Sequence, residues 1–504
     1  MLPIHMLYRG LRLNPNGHAV VDGEVRLTYR ELTRRVEAVA SYLQERLPEE
    51  QSRVGVCGHN NWQHVVMMLG VFASGHVWVP LNPRNSAAEL SGIAEAAGLA
   101  LIAADEDFQA LFAPAGRPMI GMAGTGGCAP RVEDICVSHD GRRPADIVHL
   151  QEAISAIKFT GGTTGHPKGV LQPYRAFMNC IASMLATFQF AEDERMLVVA
   201  PLTHGAGTFL LPVLAAGGCS ILLDGAKAPQ ISETILREGV TASFMPPTLI
   251  YSLIDHANAA GIRYTGMRHL IYGAAPMPMA RIRQAQEVFG PHIAAIYGQT
   301  EAPTMIAAIT ARELAQDENI ESVGRPCPFN DVQIMGPDGT ILPCGETGEV
   351  VIRGDLVMRG YLNRPDLTEQ TIVDGWLHTG DLGSFDERGY LFLKDRLRDV
   401  IISGGFNVYP ADVETVLASH PDVAEASVIA RPDDYWGQRV EAAVVLRQGH
   451  HVSEADLIGF AKGELGSVRA PKAIHILASM PVSAVGKVTR NSVLRLVEQL
   501  EQAS

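Results

Sequence analysis

The sequence predicts an α/β protein: a large, multi-subdomain N-terminal part followed by a small α+β unit at the C-terminus. Three observations carry that expectation. From Arg53 onward, apolar strand-like runs alternate with amphipathic helical stretches, which implies a parallel sheet covered by helices. From Ala411 onward the order changes to helix, strand, strand, helix, strand. The chain has 504 residues, more than one hydrophobic core usually organises.

Taken in order, Thr28-Tyr29-Arg30-Glu31 reads as a capping box. Leu32, Val36, Val39, Leu43 and Leu47 behind it keep helical spacing, so an amphipathic helix is expected from Tyr29. Strand 54–57, helix 62–73, strand 77–81, helix 87–97 and strand 99–103 follow. Residues 116–144 are rich in Gly, Pro and Asp without clear periodicity and are expected to be a surface connection. A strand is expected over 154–159. The small unit is expected as helix 411–419, strands 426–430 and 441–446, helix 454–464 and strand 473–477, with 481–486 a loop that delivers Lys487. These elements suggest a large domain over 1–395, a joint at 396–400 and a small domain over 401–504.

Hydrophobic residues make up 47% and charged residues 19%, the balance of an ordinary globular protein. A formal net charge of −14 argues against a nucleic-acid or anionic-lipid surface. The seven cysteines are scattered, with no CxxC pair, so neither a zinc site nor a disulfide framework is indicated. Met1 to Gly10 lacks a signal-peptide layout, and the apolar run 65–75 falls short of the ~20 residues that span a bilayer. A cytoplasmic protein without a membrane span is expected, and a homodimer is left open.

The most informative stretch is Thr160-Gly161-Gly162-Thr163-Thr164-Gly165-His166-Pro167-Lys168-Gly169, directly after the expected strand 154–159. Glycines let backbone approach a ligand, threonine hydroxyls and N–H groups donate to phosphate oxygens, and lysine adds positive charge. A lone Gly-rich loop is most often an inert turn, and this one fails the Walker pattern, which needs Gly-Lys followed by Ser or Thr. Other segments follow it. Pro201-Leu202-Thr203-His204 comes after an apolar run; a lone histidine there is more often structural than catalytic. Tyr272-Gly273-Ala274-Ala275-Pro276 reads as a strand end with a tight turn. Tyr297-Gly298-Gln299-Thr300-Glu301 would, standing alone, read as an exposed glutamate that starts a helix. Further on stand Trp376-Leu377-His378-Thr379-Gly380-Asp381, Asp395-Arg396-Leu397-Arg398, Ser403-Gly404-Gly405-Phe406-Asn407 and Val485-Gly486-Lys487.

In this order and at these separations the set resembles the adenylate-forming (AMP-binding) superfamily: acyl- and aryl-CoA ligases, luciferases and the adenylation domains of peptide synthetases. The resemblance covers roughly residues 25–495. It implies the adenylate-forming enzyme fold. It also implies ATP contacts from Thr160, Gly161, Gly162, Thr163, Thr164, Gly165 and Lys168, with Gly273, Ala274, Ala275 and Pro276 against adenine. Tyr297, Gly298 and Gln299 would line the nucleotide, Thr300 would donate to the α-phosphate, Glu301 would hold Mg²⁺, and Asp381 and Arg396 would take the ribose. His204 would face the acyl and pantetheine pocket, Arg398 would be the hinge, Gly404 and Gly405 would line the CoA tunnel, and Lys487 would stabilise charge between the substrate carboxylate and the α-phosphate. Departures from the family pattern are Gly161 for serine, Arg398 for Lys or Asp, Phe406 for glutamate and Val485 for Ser or Thr.

The implied activity is an acid–thiol ligase that takes a small-molecule carboxylic acid, MgATP and CoA through an acyl-AMP. No acidic residue lies between Pro201 and Leu211 to meet an α-ammonium, which demotes amino acids. Ile296 stands where malonate-activating relatives have arginine. A hydrophobic monocarboxylate, such as a fatty acid, is therefore favoured. Alternatives are an aryl-CoA ligase, an enzyme loading a carrier protein, a luciferase-type oxygenase, and a non-catalytic adenylate sensor.

Overall fold

The structure, a computed structural model, describes residues 1–127, 130–148, 151–160, 168–403, 406–433, 435–481 and 488–503, with backbone alone at Asn407 and Ala503. Two large sheets organise the N-terminal part. One has seven strands, in the order Gly360–Tyr361, Lys168–Pro173, Ile154–Thr160, Val77–Leu81, Arg53–Cys57, Leu101–Ala104, Met119–Gly121. The five strands from Ile154–Thr160 to Met119–Gly121 run parallel, and the first two are antiparallel additions. The other has nine strands, parallel through Ile293–Tyr297, His269–Tyr272, Ala242–Met245, Arg195–Val198, Cys219–Leu222 and His18–Asp22, with antiparallel strands at both edges.

Side-chain alternation explains how the sheets stack. Val20, Met196 and Val198 enter the same core as Val54, Val56 and Trp78 of the other sheet, whereas Val21, Leu197 and Val199 face an outer core. Cys57, Val79 and Ile157 face a third core beyond the seven-stranded sheet. Strands buried on both faces read as continuous apolar runs, the mark of parallel sheets. Between the sheets lies helix Trp62–Ser74, every residue of which is buried. Its apolar run of sequence is thus an interior helix. Among the described residues no helix is long and apolar enough to cross a membrane.

The capping box at Thr28 is formed and starts helix Tyr29–Arg46, with Leu47 as its C-cap. Residues 116–144 depart from expectation: they contain strand Met119–Gly121, paired parallel to Leu101–Ala104, and helix Val132–Ser138. Only Ile120 and Gly121 of the strand and Val132 and Ile135 of the helix are buried, too few positions to give a period.

A five-stranded sheet led by Asn330–Met335, Gly348–Gly354 and Trp376–Phe385 follows, and a C-terminal five-stranded sheet carries the small unit. There, Val423–Asp433 and Gly437–Leu446 pair along their whole length, longer than the apolar runs suggest, and Ala473–Leu477 adds in parallel. Helix Glu454–Arg469 passes a non-helical Gly466 at φ +75°. The last helix, Arg490–Ala503, packs Val493 and Val497 on this sheet.

Candidate active site

Strands Ile154–Thr160 and Lys168–Pro173 form a hairpin whose last pair is Thr160 with Lys168. This register holds both ends of the glycine- and threonine-rich loop; Gly161, Gly162, Thr163, Thr164 and Gly165 themselves lie outside the described residues. The Lys168 ammonium rests 5.7 Å from the Tyr361 ring centroid. The Tyr361 hydroxyl in turn donates to Glu301 Oε1 at 2.8 Å, and burial, reinforced by that carboxylate, pushes the phenol pKa upward. Gln172, on the hairpin face opposite Leu171, donates to the Thr300 carbonyl at 2.8 Å. The hairpin therefore fixes Lys168, Thr300 and Glu301 relative to one another. Glu301 is partly accessible and spends one oxygen on Tyr361, so a second hard oxygen is available, and the site suits Mg²⁺.

A second cluster converges on Asp381, in strand Trp376–Phe385. Its Oδ2 accepts the Tyr297 hydroxyl at 2.7 Å and Gln299 Nε2 at 2.8 Å, and Arg396 Nε stands 3.4 Å from Oδ1. Arg396 is placed there by register, since Asp381 and Arg396 are cross-strand partners. Gly380 precedes at φ +71°, its N–H donating to Glu349. Burial and the Asp381 charge push the Tyr297 phenol pKa well up, so it stays a donor. A carboxylate with one side held by neutral donors and the other near a guanidinium is an acceptor ready for a ligand hydroxyl pair.

The third wall is apolar. Phe244 stacks on Phe209 at 5.1 Å between ring centroids and fills the space beside two glycines. A Cβ on Gly205 would meet its ring at 3.0 Å, and a Cβ on Gly273 would meet it at 3.3 Å and Ile296 at 2.9 Å. Small residues at these points are thus required by packing. Ala274 follows at φ +71°, a left-handed conformation strained for a residue with a Cβ; Ala275 and Pro276 complete the turn. His204 is the N-cap of helix Gly205–Ala216, with its Nδ1 2.9 Å from the Thr203 hydroxyl. Asn60 seats this segment by accepting from Leu202 N and donating to the Val198, Ala200 and Leu223 carbonyls.

Arg398 lies in the single turn Leu397–Asp399 between strand Leu391–Arg396 and the C-terminal sheet, its Nε 3.6 Å from Asp399. Gly404, Gly405 and Lys487 lie outside the described residues. Arg490 nearby is bound to Asp395 at 3.0 Å, Asp399 at 2.9 Å and Glu414 at 3.3 Å, and Asp395 Oδ2 also accepts Ala411 N at 2.9 Å. Motif reading missed Tyr361, Phe244, Gln172, Asn60 and Arg490. Arg490 has the one visible signal, a cation three residues after Lys487.

The profile of the AMP-binding enzyme family matches residues 8–362, and that of the AMP-binding enzyme C-terminal domain matches 412–487. This chain belongs to the AMP-binding enzyme family. Two curated relatives of this AMP-binding enzyme are a feruloyl-CoA synthase from an Amycolatopsis species, 33% identical over 97% of both chains, and a medium/long-chain fatty acid–CoA ligase from Mycobacterium tuberculosis, 30% identical over 97% of this chain and 89% of that one. Among solved structures, an amide bond synthetase from Marinactinospora thermotolerans superposes with a TM-score of 0.89 at 30% identity, covering 98% of this chain and 99% of the other. The large N-terminal and small C-terminal domains of the adenylate-forming fold are present, and the AMP-binding enzyme is an acid–thiol ligase by family.

Proposed function

We propose that the protein is an ATP-dependent ligase that converts a largely hydrophobic carboxylic acid, aliphatic or aryl, to its CoA thioester through an acyl-adenylate. The observation that carries this reading is the convergence of Tyr297, Gln299 and Arg396 on Asp381, a ribose-type acceptor, beside the Lys168–Tyr361–Glu301 line. The apolar wall of Phe244 and Ile296 supports a hydrophobic acyl group.

In the first step the substrate carboxylate attacks the α-phosphorus and pyrophosphate leaves. Thr160 to Lys168 hold the outer phosphates, Thr300 donates to the α-phosphate, Asp381 and Arg396 orient the ribose, and Gly273 to Pro276 receive the base. Lys487 meets the charge that develops between carboxylate and phosphate. Glu301 would hold Mg²⁺, which supplies neutralising charge to the phosphates. In the second step the domain over 401–504 turns against the domain over 1–395 about Arg398, within 396–400. That withdraws Lys487 and brings Gly404 and Gly405 to line the path of the CoA thiol, which attacks the acyl carbon past His204 as AMP leaves.

The test is acid-dependent release of pyrophosphate and AMP with formation of a thioester. Lys487→Ala should abolish adenylation and spare thioester formation from supplied acyl-AMP; equal loss of both steps would remove the assigned role. Similarity to an amide bond synthetase favours one second reading, transfer of the acyl group to an amine. Amine-dependent amide formation without CoA consumption would select it.

A further inference from the structure

Lys158 belongs to no motif. It sits on strand Ile154–Thr160, opposite Val170 and two residues before Thr160, about 7 Å back along the strand. Its side chain leaves the strand on the same face as Ala156, whose cross-strand partner Gln172 holds Thr300. That face looks toward the candidate site.

The Lys158 ammonium lies 5.3 Å from the Trp78 ring centroid and 5.9 Å from that of Phe177, both fully buried rings. Among the described residues no carboxylate or carbonyl pairs with it. Lys158 keeps some accessible surface although the two rings beside its ammonium are fully buried. Cys180, its electrostatic neighbour, lies beside Thr304. Thr304, at φ +66°, packs its backbone where a Cβ on Gly298 would come within 2.5 Å. A continuous line thus runs from Tyr297-Gly298 through Thr304 and Cys180 to the ammonium.

Burying an unpaired charge is costly, and two aromatic faces offset only part of that cost. Burial pushes the Lys158 amine down to about 8, with the Cys180 thiol acting weakly the other way. Packing alone would be better served here by leucine or methionine.

We propose that Lys158 is a specificity residue: its ammonium binds a carbonyl or carboxylate oxygen at the far end of the acyl group, so the preferred acid is hydrophobic in its body and oxygenated at its tip. This rests on reading the site as one that activates acids. It narrows that reading from hydrophobic acids in general to keto acids or dicarboxylates.

The test compares matched acids that differ only toward the tip: hexanoic, 5-oxohexanoic and hexanedioic acid, and 4-(4-ethylphenyl)butanoic against 4-(4-acetylphenyl)butanoic acid. Wild type should favour an oxygenated member by about 10- to 100-fold in kcat/KM, the range of a hydrogen bond to a charged group. Lys158→Met should erase that preference while leaving the hydrocarbon acids and the KM for ATP near wild type. The ketone and diacid arms decide which oxygen is taken. Ranking by hydrophobicity alone in wild type would overturn the proposal, as would equal loss on every acid in the variant. If no acid releases pyrophosphate, the ligase reading fails, and calorimetric binding of the same sets decides the inference: selectivity present in wild type and absent in Lys158→Met sustains it, and no difference overturns it.

Discussion

Asp381 gathers three side chains from two sheets, and each reaches it by a different route: Tyr297 at the end of a strand, Gln299 in the loop after it, Arg396 across a ladder. Asp381→Asn turns a full acceptor into a group that also donates. The KM for ATP should rise about 10- to 100-fold with a smaller change in kcat, read from initial rates over an ATP titration. Tyr297→Phe removes one donor to that carboxylate and should raise the same KM by about tenfold. At this scale the motifs marked out Tyr297, Gln299, Asp381 and Arg396, and the structure brings these four together. Tyr361 and Phe244 were not so marked, because a phenol and a ring acquire their roles only through what tertiary packing sets beside them, Glu301 and Lys168 in one case and two glycines in the other.

Among whole elements, glycine separates tight joints from loose ones. A Cβ on Gly207 would fall 2.0 Å from the Leu202 carbonyl oxygen, and one on Gly298 would fall 2.5 Å from Thr304 backbone. Backbone cannot step aside as a side chain does, so Gly207→Ala and Gly298→Ala should each destabilise by about 2–3 kcal/mol in chemical denaturation. Gly459, inside helix Glu454–Arg469, has nothing within 4 Å, and Gly459→Ala should stabilise by about 0.4–1 kcal/mol. Elements with a long apolar period were legible: helices Tyr29–Arg46, Trp62–Ser74 and Ala87–Ala97 and strand Ala473–Leu477 match the pattern closely. Strand Met119–Gly121 was hidden because its three residues owe their pairing to the neighbouring strand and carry too little pattern of their own. Helix Arg490–Ala503 was passed over although Val493 and Val497 keep a four-residue spacing, since its remaining face is polar and charged.

Two sheets pressed on shared interior helices leave buried histidines. His64, on helix Trp62–Ser74, is fully buried, its Nδ1 within 3.2 Å of the Gly58 and His59 carbonyls, and desolvation holds its pKa below the ordinary 6.5 despite the opposing charge of Asp105. His269 is lowered for the same reason, with Glu194 opposing. Both bind a proton less readily in the folded protein than in the unfolded chain, so their contribution to stability is fully present above pH 6.5 and is lost on acidification. Melting temperature should therefore fall between pH 7.5 and about 5.5, and less steeply in His64→Gln.

The contacts of Asp395 with Arg490 and with Ala411 N join residues on opposite sides of the proposed joint at Arg398. The rotation proposed there would have to break both, so on that reading they act as a catch, released and reset in every catalytic cycle. Such a catch would give the enzyme a clock of its own, indifferent to what it is activating. Saturating acids of very different intrinsic reactivity should converge on one ceiling rate, and Asp395→Asn should move that ceiling for all of them together.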